Sequence, residues 1–285
     1  MISSQKMLTV GDGEISVTFD EPDRHAASHR PVVLVPPFGM SAERLLPVSY
    51  LLTTNGFNVI RFDPRNHPGE STGTMFSFCM SRLVEDIGRI VDDAGGGIIV
   101  GMSLGARSVL RVLATTSNVD GAVLLTPVVN TQHTVQQVTG RDWFKQIVDV
   151  DDSVTAHVLG YEIGPTMIHD CIDIGFVDVE DSIVDVIAST ASITFIAGDA
   201  DPWVAVDDVR SVARAGALEG RDVDVVTVPT ASHHLYRNPV LAMTFFRLAT
   251  ERCMKMAGLD PAHICVPLFS DVVRTVEESK LSGRP

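Results

Sequence analysis

The chain has 285 residues, of which 45% are hydrophobic, and a formal net charge of −14. This composition supports a sizeable core and argues against disorder, and chains of this length routinely form one α/β unit. The acidic balance and the absence of any Lys/Arg-rich run exclude nucleic-acid binding through clustered positive charge, and an anionic partner would need a local basic patch for docking.

The first half of the chain alternates between predicted strands and helices. Residues 7–20 alternate weakly between polar and apolar and predict a hairpin around Gly11-Asp12-Gly13. Short apolar runs typical of buried strands lie at 31–36, 57–63, 97–102 and 121–127. Helical patterns lie between them at 42–54, 77–94 and 104–116. Alternation of this kind predicts right-handed crossovers and a mostly parallel central sheet flanked by helices, which is an α/β fold.

The alternation lapses after Pro127. Residues 128–190 are more polar and helical and show no clear strand. Strand patterns return at 192–198 and 223–229, and a last helix is predicted at 238–257. We therefore interpret 1–127 and 191–257 as the core, 128–190 as a cap insertion, and 258–285 as a C-terminal helix or tail. The cap would cover the carboxyl edge of the sheet, where open parallel sheets bind ligands.

Four cysteines lie far apart in the sequence and form no C-x-x-C pair: Cys79, Cys171, Cys253 and Cys265. Such spacing favours free thiols in a reducing compartment, and neither these residues nor the histidines have zinc-ligand spacing. The N-terminal sequence lacks the basic region and apolar core of a secretory signal, and no apolar run is long enough to span a membrane. We expect a cytoplasmic protein with no metal and no cofactor.

The strongest motif is Gly101-Met102-Ser103-Leu104-Gly105, a G-x-S-x-G sequence between an apolar strand and a helix. A serine nucleophile must project from a sharp strand-to-helix turn, and side chains two positions away on either side would collide there. A dinucleotide-binding loop is the competing interpretation, but it needs G-x-G-x-x-G after the first strand of its unit. Here the middle position is Ser103, so we predict a nucleophile.

The partners of a serine nucleophile follow in the expected order of acid and then histidine. The strand at 192–198 leads into a loop with Asp199 and Asp201, and the strand at 223–229 leads into a loop with His233 and His234. Asp201 fits the common G-x-x-D-x-x-V spacing from Gly198 to Val204, with Asp199 as a neighbour that shapes the loop. An adjacent base would activate the serine, and the acid would orient that base.

An oxyanion hole is expected to use two backbone N–H groups. One should belong to Leu104, directly after the nucleophile. The other should come from Pro36-Pro37-Phe38-Gly39, the loop after the strand at 31–36. Because proline has no N–H group, Phe38 is the first candidate and Gly39 the second.

Several segments together resemble one family, the acyl transferase of bacterial bioluminescence, within the α/β-hydrolase superfamily. They are residues 55–63 with His67, Gly69, Ser71 and Gly73, then Met80-Ser81, Ser103-Leu104, Ala106-Arg107, the run 170–176 (DCIDIGF), Asp201 with Trp203-Val204, and Ser232-His233. The resemblance implies Ser103 as nucleophile, Asp201 as acid and His233, in preference to His234, as base. The elbow glycines and Pro202 depart from the family pattern.

The resemblance also implies a fatty acyl thioester as substrate, carried by acyl carrier protein or coenzyme A. We therefore expect a serine acyl hydrolase or transferase that works through an acyl-serine intermediate. A carboxylesterase acting on small oxygen esters is one alternative, because the same three residues serve either leaving group. A hydrolase-like binding protein without catalysis is the other, although the intact set of three residues argues against it.

The cap should also shape the substrate site. Nine apolar residues recur within its polar sequence, and we expect an apolar acyl channel along its inner face: Val135, Val138, Trp143, Phe144, Ile147, Val158, Leu159, Met167 and Ile168. The competing interpretation is that these residues only pack the cap onto the sheet, since an apolar face on a surface helix is usually core.

Overall fold

The computed structural model describes residues 1–22, 30–149, 155–268 and 270–275, without the side chains of residues 147–149 and 236. The described strands, in chain order, are β1 (Ile2–Val10), β2 (Gly13–Glu21), β3 (Val32–Val35), β4 (Val59–Asp63), β5 (Gly97–Met102), β6 (Val119–Leu125), β7 (Ala156–Val158), β8 (Tyr161–Ile163), β9 (Ser192–Gly198) and β10 (Val223–Val228). The α-helices are α1 (Leu46–Thr54), α2 (Met80–Asp93), α3 (Leu104–Thr115), α4 (Thr131–Thr139), α5 (Trp143–Asp149), α6 (Thr166–Asp173), α7 (Val179–Ala188), α8 (Val206–Leu218) and α9 (Pro239–Met256). Short 3-10 helices lie at Ala42–Leu45, Met75–Ser77, Leu235–Arg237 and Pro261–His263.

Eight strands form one sheet in the order β1-β2-β4-β3-β5-β6-β9-β10. The N-terminal hairpin is antiparallel, β2 pairs antiparallel with β4, and the other neighbours are parallel. The predicted α/β fold is confirmed, and the buried strands lie within two residues of their predicted bounds. Helix α8 was not assigned from the sequence, although its buried residues Val209, Val212, Ala213 and Gly216 recur at helical spacing.

Side chains of the central strands alternate between two apolar layers. Val33, Ile99 and Leu124 face the layer that contains buried residues of α2, α3, α7 and α8. Val32 and Val100 face the opposite layer, which contains α1 and α9. Because successive side chains of a strand point to opposite faces, strands covered on both faces must be apolar throughout. This explains the continuous apolar runs from which the strands were predicted.

The carboxyl ends of the parallel strands lie at one edge of the sheet. Ser103 follows β5 directly, Asp201 lies in the loop after β9, and His233 lies in the loop after β10. Loops that are far apart in the sequence therefore meet above this edge, as in other open parallel sheets.

The described residues of the segment 128–190 form four α-helices and one short hairpin. The pair β7 and β8 is antiparallel, which corrects the expectation of no strand here. Each of these strands has three residues, too few to show an alternating pattern. Helix α7 packs against α3 and α8, in the same layer as the helices that flank the sheet. The segment thus begins over the sheet edge and ends in the flanking layer.

Candidate active site

Ser103 lies on a strained turn between β5 and α3. Its backbone has φ 51° and ψ −122°, in a region that non-glycine residues rarely occupy. Hydrogen bonds fix the turn: the Ser103 N–H donates to the Leu125 carbonyl at 2.9 Å, and the Ser103 carbonyl accepts from Ala106 and Val128 N–H groups, both at 3.1 Å. The neighbouring strand and the first turn of the helix thus hold the serine in this conformation.

The two glycines of the motif are needed for close packing. A Cβ atom on Gly105 would lie 2.5 Å from the Pro36 carbonyl oxygen, and a Cβ on Gly101 would lie 2.8 Å from Val109 Cγ2. Contacts this short would force the turn or the helix to move. The elbow glycines, in which the sequence departs from the family pattern, therefore have a steric reason in this chain.

The structure brings Ser103, His233 and Asp201 into one hydrogen-bonded chain. Ser103 Oγ lies 2.7 Å from His233 Nε2, and His233 Nδ1 lies 2.7 Å from Asp201 Oδ2. His233 is only 8% exposed, so bulk water has little access to the imidazole. Nucleophile, base and orienting acid are thus within hydrogen-bond reach of one another, the geometry that activation of a serine requires.

Backbone donors orient the Asp201 carboxylate. Its Oδ1 atom accepts hydrogen bonds from the N–H groups of Trp203 at 2.9 Å and Val204 at 3.1 Å, which leaves Oδ2 for His233. Pro202, which has no N–H group, therefore removes no donor that this turn uses. The Trp203 ring packs against the His233 ring at a centroid distance of 4.7 Å.

The second member of each doublet has a different environment. Asp199 Oδ1 accepts a hydrogen bond from the Thr230 N–H at 2.6 Å, and the carboxylate is exposed at the surface of its loop. The His234 ring makes an edge contact with Trp203, 4.5 Å between centroids. Burial, and then the charge of Arg237, lower the pKa of His234. Neither residue is part of the hydrogen-bonded chain.

The predicted oxyanion donors come from two segments, the start of α3 and the loop after β3. Leu104 is the first residue of α3, so its N–H group has no acceptor within the helix. Phe38 lies in a turn in which the Met40 N–H donates to the Pro37 carbonyl at 3.2 Å. The Phe38 ring is buried against Phe78, at a centroid distance of 5.5 Å, which anchors the loop.

A cavity of about 610 Å³ opens beside Ser103. Its lining comes from four loops and from the β7–β8 hairpin: Pro37, Phe38, Gly39, Met40, Ser41, Glu43, Arg44, Pro68, Met102, Ser103, Thr126, Leu159, Tyr161, Trp203, His233, His234, Leu235 and Arg237. The lining includes apolar and aromatic side chains, and the 42–45 and 235–237 helices contribute the charged side chains of Glu43, Arg44 and Arg237. A group bound here would have access to Ser103, which is itself part of the lining.

The expected apolar channel is not found among the described residues of the segment 128–190. Of the nine predicted residues, only Leu159 lines the cavity, and the side chain of Ile147 lies outside the described residues. Five others line a separate space of about 10 Å³ within the cap: Val135, Trp143, Val158, Met167 and Ile168. A space of that size holds about one water molecule. These residues pack as core, because apolar faces of short helices bury against each other and against the sheet.

Sequence and structure comparisons agree with this fold. The ferulic-acid complex of Est1E from Butyrivibrio proteoclasticus covers 89% of this chain and 99% of its own, with a TM-score of 0.73 and 16% sequence identity. The monoacylglycerol lipase of Paleococcus ferrophilus covers 86% and 100%, with a TM-score of 0.66 and 20% identity. These likenesses show the α/β-hydrolase fold, in which this chain is similar to esterases and lipases.

The family comparison is more specific. The sequence profile of a family described as acyl transferase matches residues 5–282. The chain belongs to this acyl transferase family. An acyl transferase of Photorhabdus laumondii is 25% identical over 284 residues, 95% of this chain and 91% of the relative. An acyl transferase of Aliivibrio fischeri is 27% identical over 268 residues, 88% of this chain and 84% of the relative.

In this chain the run 170–176 connects the segment 128–190 to α3. The Gly175 carbonyl accepts hydrogen bonds from Arg107 at 2.9 Å and Arg111 at 3.2 Å, and the Phe176 ring lies 3.8 Å from the Arg107 guanidinium carbon. Asp185 on α7 pairs with both arginines, at 2.5 Å and 2.7 Å. We call Arg107, Arg111 and Asp185 the arginine cluster.

Thr126 and Tyr161 are among the residues of the site that were not predicted from the sequence. Thr126, directly after β6, lines the cavity with a φ of 43°, which is unusual for a β-branched residue. Its place after a buried strand was a usable signal, the same one that predicted Asp201 and His233. The Tyr161 hydroxyl donates to the Gly39 carbonyl at 3.0 Å and so connects the hairpin to the oxyanion loop. No local pattern predicts that contact, because the two residues lie 122 positions apart.

The described part of the chain contains no group of three or more His, Cys, Asp or Glu side chains that could hold a metal ion. Within the same ranges, no helix is both long and apolar enough to cross a membrane. The four cysteines are free, and three of them are buried.

Proposed function

We propose that this acyl transferase cleaves an acyl thioester through an acyl-serine intermediate, with Ser103 as nucleophile, His233 as base and Asp201 as orienting acid. The observation that carries the proposal is the continuous hydrogen-bonded chain from Ser103 Oγ through His233 to Asp201, with 2.7 Å at each step. The chain ends at a cavity large enough for an organic substrate. Fold alone would not support this function, since many activities share the fold.

In the first step His233 Nε2 takes the Ser103 proton as Oγ attacks the thioester carbonyl carbon. The C–O bond forms, and the developing oxyanion accepts hydrogen bonds from the N–H groups of Leu104 and Phe38, with Gly39 as the second candidate in that loop. The C–S bond then breaks, the thiolate takes the proton from His233, and the acyl group stays on Ser103. Water or another acceptor, deprotonated by His233, releases the acyl group in the second half.

Asp201 would act through the histidine rather than on the substrate. Its Oδ2 atom accepts a hydrogen bond from the Nδ1–H group of His233, which keeps the proton on Nδ1 and leaves Nε2 free to accept the proton of Ser103. The carboxylate also stabilises the imidazolium ion that forms during each half-reaction. The two backbone hydrogen bonds to Oδ1 support this role because they restrict rotation of the carboxylate.

The thioester is proposed from the family. Its curated relatives are named acyl transferases, and their alignments extend over most of this chain. The donor would be carried by acyl carrier protein or coenzyme A, and the protein would act in the cytoplasm. The segment 128–190 would serve as a cap, since Leu159 and Tyr161 of its hairpin line the cavity. A carboxylesterase is the second candidate, favoured by the likeness to Est1E and to the lipase.

Labelling with a fluorophosphonate tests the nucleophile. We expect one label per chain on Ser103, and no label on Ser103→Ala, whose circular dichroism should match that of the wild type. The variant should also lose turnover by several orders of magnitude, because members of such a triad act as a unit. An unlabelled wild type would favour the hydrolase-like binding protein, and a Ser103→Ala variant with full turnover would contradict the assignment.

Matched substrates separate the two candidate enzymes. An acyl N-acetylcysteamine thioester and the oxygen ester of the same acyl group would be compared by kcat/KM, over a series of chain lengths. We expect the thioester to be preferred over the ester at each length the enzyme accepts. A preference for short oxygen esters would instead support the carboxylesterase.

A further inference from the structure

Two exposed arginines line the cavity, and they come from segments that are far apart in the sequence. Arg44 belongs to the 3-10 helix after the oxyanion loop, and Arg237 ends the 3-10 helix after the His233 loop. Both line the cavity that contains Ser103, and both are exposed. Glu43 also lines the cavity, so these charged side chains comprise two cations and one carboxylate. The mouth is therefore positive, in a chain whose formal net charge is −14.

Neither arginine has an ion-pair partner within the described ranges. Exposed arginines elsewhere differ in this respect: Arg247 pairs with Glu251 at 2.9 Å and Arg210 pairs with Asp207 at 2.9 Å, whereas Arg214 has no ion-pair partner among the described residues. Arg44 and Arg237 differ from Arg214 because both line the cavity that contains Ser103, so their unpaired charge is available to a group bound there. The effect of Arg237 already reaches the site, since its charge contributes, after burial, to lowering the pKa of His234.

We propose that Arg44 and Arg237 form an anion subsite that binds the phosphate of a phosphopantetheine arm on the acyl donor. This inference rests on the proposed function, because it takes the thioester carbonyl to lie at Ser103. The acyl group then fills the inner cavity and the thiol arm leaves through the mouth. Guanidinium groups bind phosphate through paired N–H donors, which suits them to this position. They also supply the local basic patch that an acidic protein needs to dock an anionic carrier.

The test compares two donors with the same acyl group, acyl-N-acetylcysteamine and acyl-4′-phosphopantetheine, which differ in the phosphate-bearing part of the arm. The readout is the ratio of kcat/KM for the phosphorylated donor to kcat/KM for the neutral donor. In Arg44→Gln/Arg237→Gln this ratio should fall about tenfold, the size expected for two exposed ion pairs. Arg214→Gln, which removes an exposed arginine of α8 outside the cavity lining, should keep the wild-type ratio.

Salt and charge retention give further readouts. The wild-type ratio should fall as ionic strength rises, because exposed ion pairs are screened. Arg44→Lys/Arg237→Lys should recover part of the ratio, since it keeps the charge and loses the paired donors. A ratio that is unchanged in the double Gln variant, or that falls equally in Arg214→Gln, would overturn the subsite.

The phosphate has two sources, free coenzyme A and a carrier protein. Acyl coenzyme A and an acylated carrier protein, assayed with the same acyl group, identify the source by their kcat/KM, and the source with the higher value should lose most in the double variant. A loss confined to acyl coenzyme A, with none for acyl-4′-phosphopantetheine, would assign the contact to the nucleotide and overturn the proposal. Failure of the proposed function looks different: no thioester would be turned over, while oxygen esters would be.

Discussion

Helix α3 carries two polar groups that are four residues apart and have different surroundings. Ser103, at its N-terminus, opens onto the cavity and joins His233 and Asp201. Arg107 is fully buried and joins the arginine cluster away from the cavity. In both places a carboxylate pairs with a nitrogen-containing side chain: Asp201 with His233 and Asp185 with Arg107. Because the surroundings differ, we expect the Ser103 site to determine turnover and the arginine cluster to determine stability.

The buried cluster needs its partners for a physical reason. Burial lowers the pKa of Arg107, and the paired Asp185 opposes that effect. A charge in the protein interior is tolerated only when it is paired and hydrogen-bonded, and removing one partner strands the other. Ser103 has no such constraint, because it is neutral and its loss leaves no buried charge without a partner.

The largest effect should come from His233. His233→Ala removes the group that takes the Ser103 proton, and we expect kcat/KM for the preferred acyl substrate to fall on the order of 10⁴-fold or more. His234→Ala, which leaves the hydrogen-bonded chain intact, is the matched control and should cost less than about tenfold. Steady-state kinetics of both variants would check this. A reversal of the two values would assign the base to His234.

Asp201→Asn should cost about 10³- to 10⁴-fold in kcat/KM, without a comparable loss of stability. The Trp203 and Val204 N–H groups would keep the amide oxygen, so the NH₂ group would face His233 Nδ1. His233 would then carry its proton on Nε2 and could not accept the proton of Ser103. Asp199→Asn keeps an acceptor for the Thr230 N–H and should remain close to wild type. Equal rates for both variants would remove Asp201 from the mechanism.

The arginine cluster should behave in the opposite way. Arg107→Met leaves Asp185 with one arginine fewer, and the free energy of unfolding should fall by about 3–5 kcal/mol, the usual cost of breaking a buried pair. Arg247→Met breaks an exposed pair and should cost about 1 kcal/mol or less. Urea titrations would measure both. The comparison fails if Arg107→Met keeps wild-type stability while its kcat/KM falls as far as that of His233→Ala.

The same contrast explains what could be predicted from the sequence. Strands covered on both faces are apolar throughout, and the loops expected to carry the site follow their ends. The end of β5 therefore indicated Ser103, and the ends of β9 and β10 indicated the doublets Asp199/Asp201 and His233/His234. A spacing pattern then favoured Asp201, and the resemblance favoured His233. The arginine cluster could not be found in this way, because Arg107 and Asp185 lie 78 positions apart and carry no shared local pattern. Most of the nine apolar residues predicted to line a channel in the segment 128–190 are buried, but a channel lining and ordinary core packing produce the same sequence pattern, so the pattern could not distinguish them.

The smallest expected effect concerns the buried histidine His67 and the pH dependence of stability. His67 is 4% exposed and packs against Phe78 at 4.9 Å between ring centroids. Like Arg107, it is expected to affect stability and not turnover. Burial lowers its pKa to about 4, so the unfolded chain takes up a proton near pH 6.5 that the folded protein resists. The folded state therefore has its full stability from this residue above about pH 6.5 and loses it progressively as the pH falls towards 4.

Between pH 7 and pH 5.5 this loss should be about 1 kcal/mol. The measurement is the pH dependence of the urea midpoint in the wild type and in His67→Leu, which does not titrate at that position. Carboxyl groups titrate towards the acid end of the same range in both proteins, so the difference between the two curves isolates His67. We expect the wild type to lose more stability than the variant over this interval. Parallel curves would mean that His67 titrates alike in the folded and unfolded states, which would place it with solvated rather than buried groups.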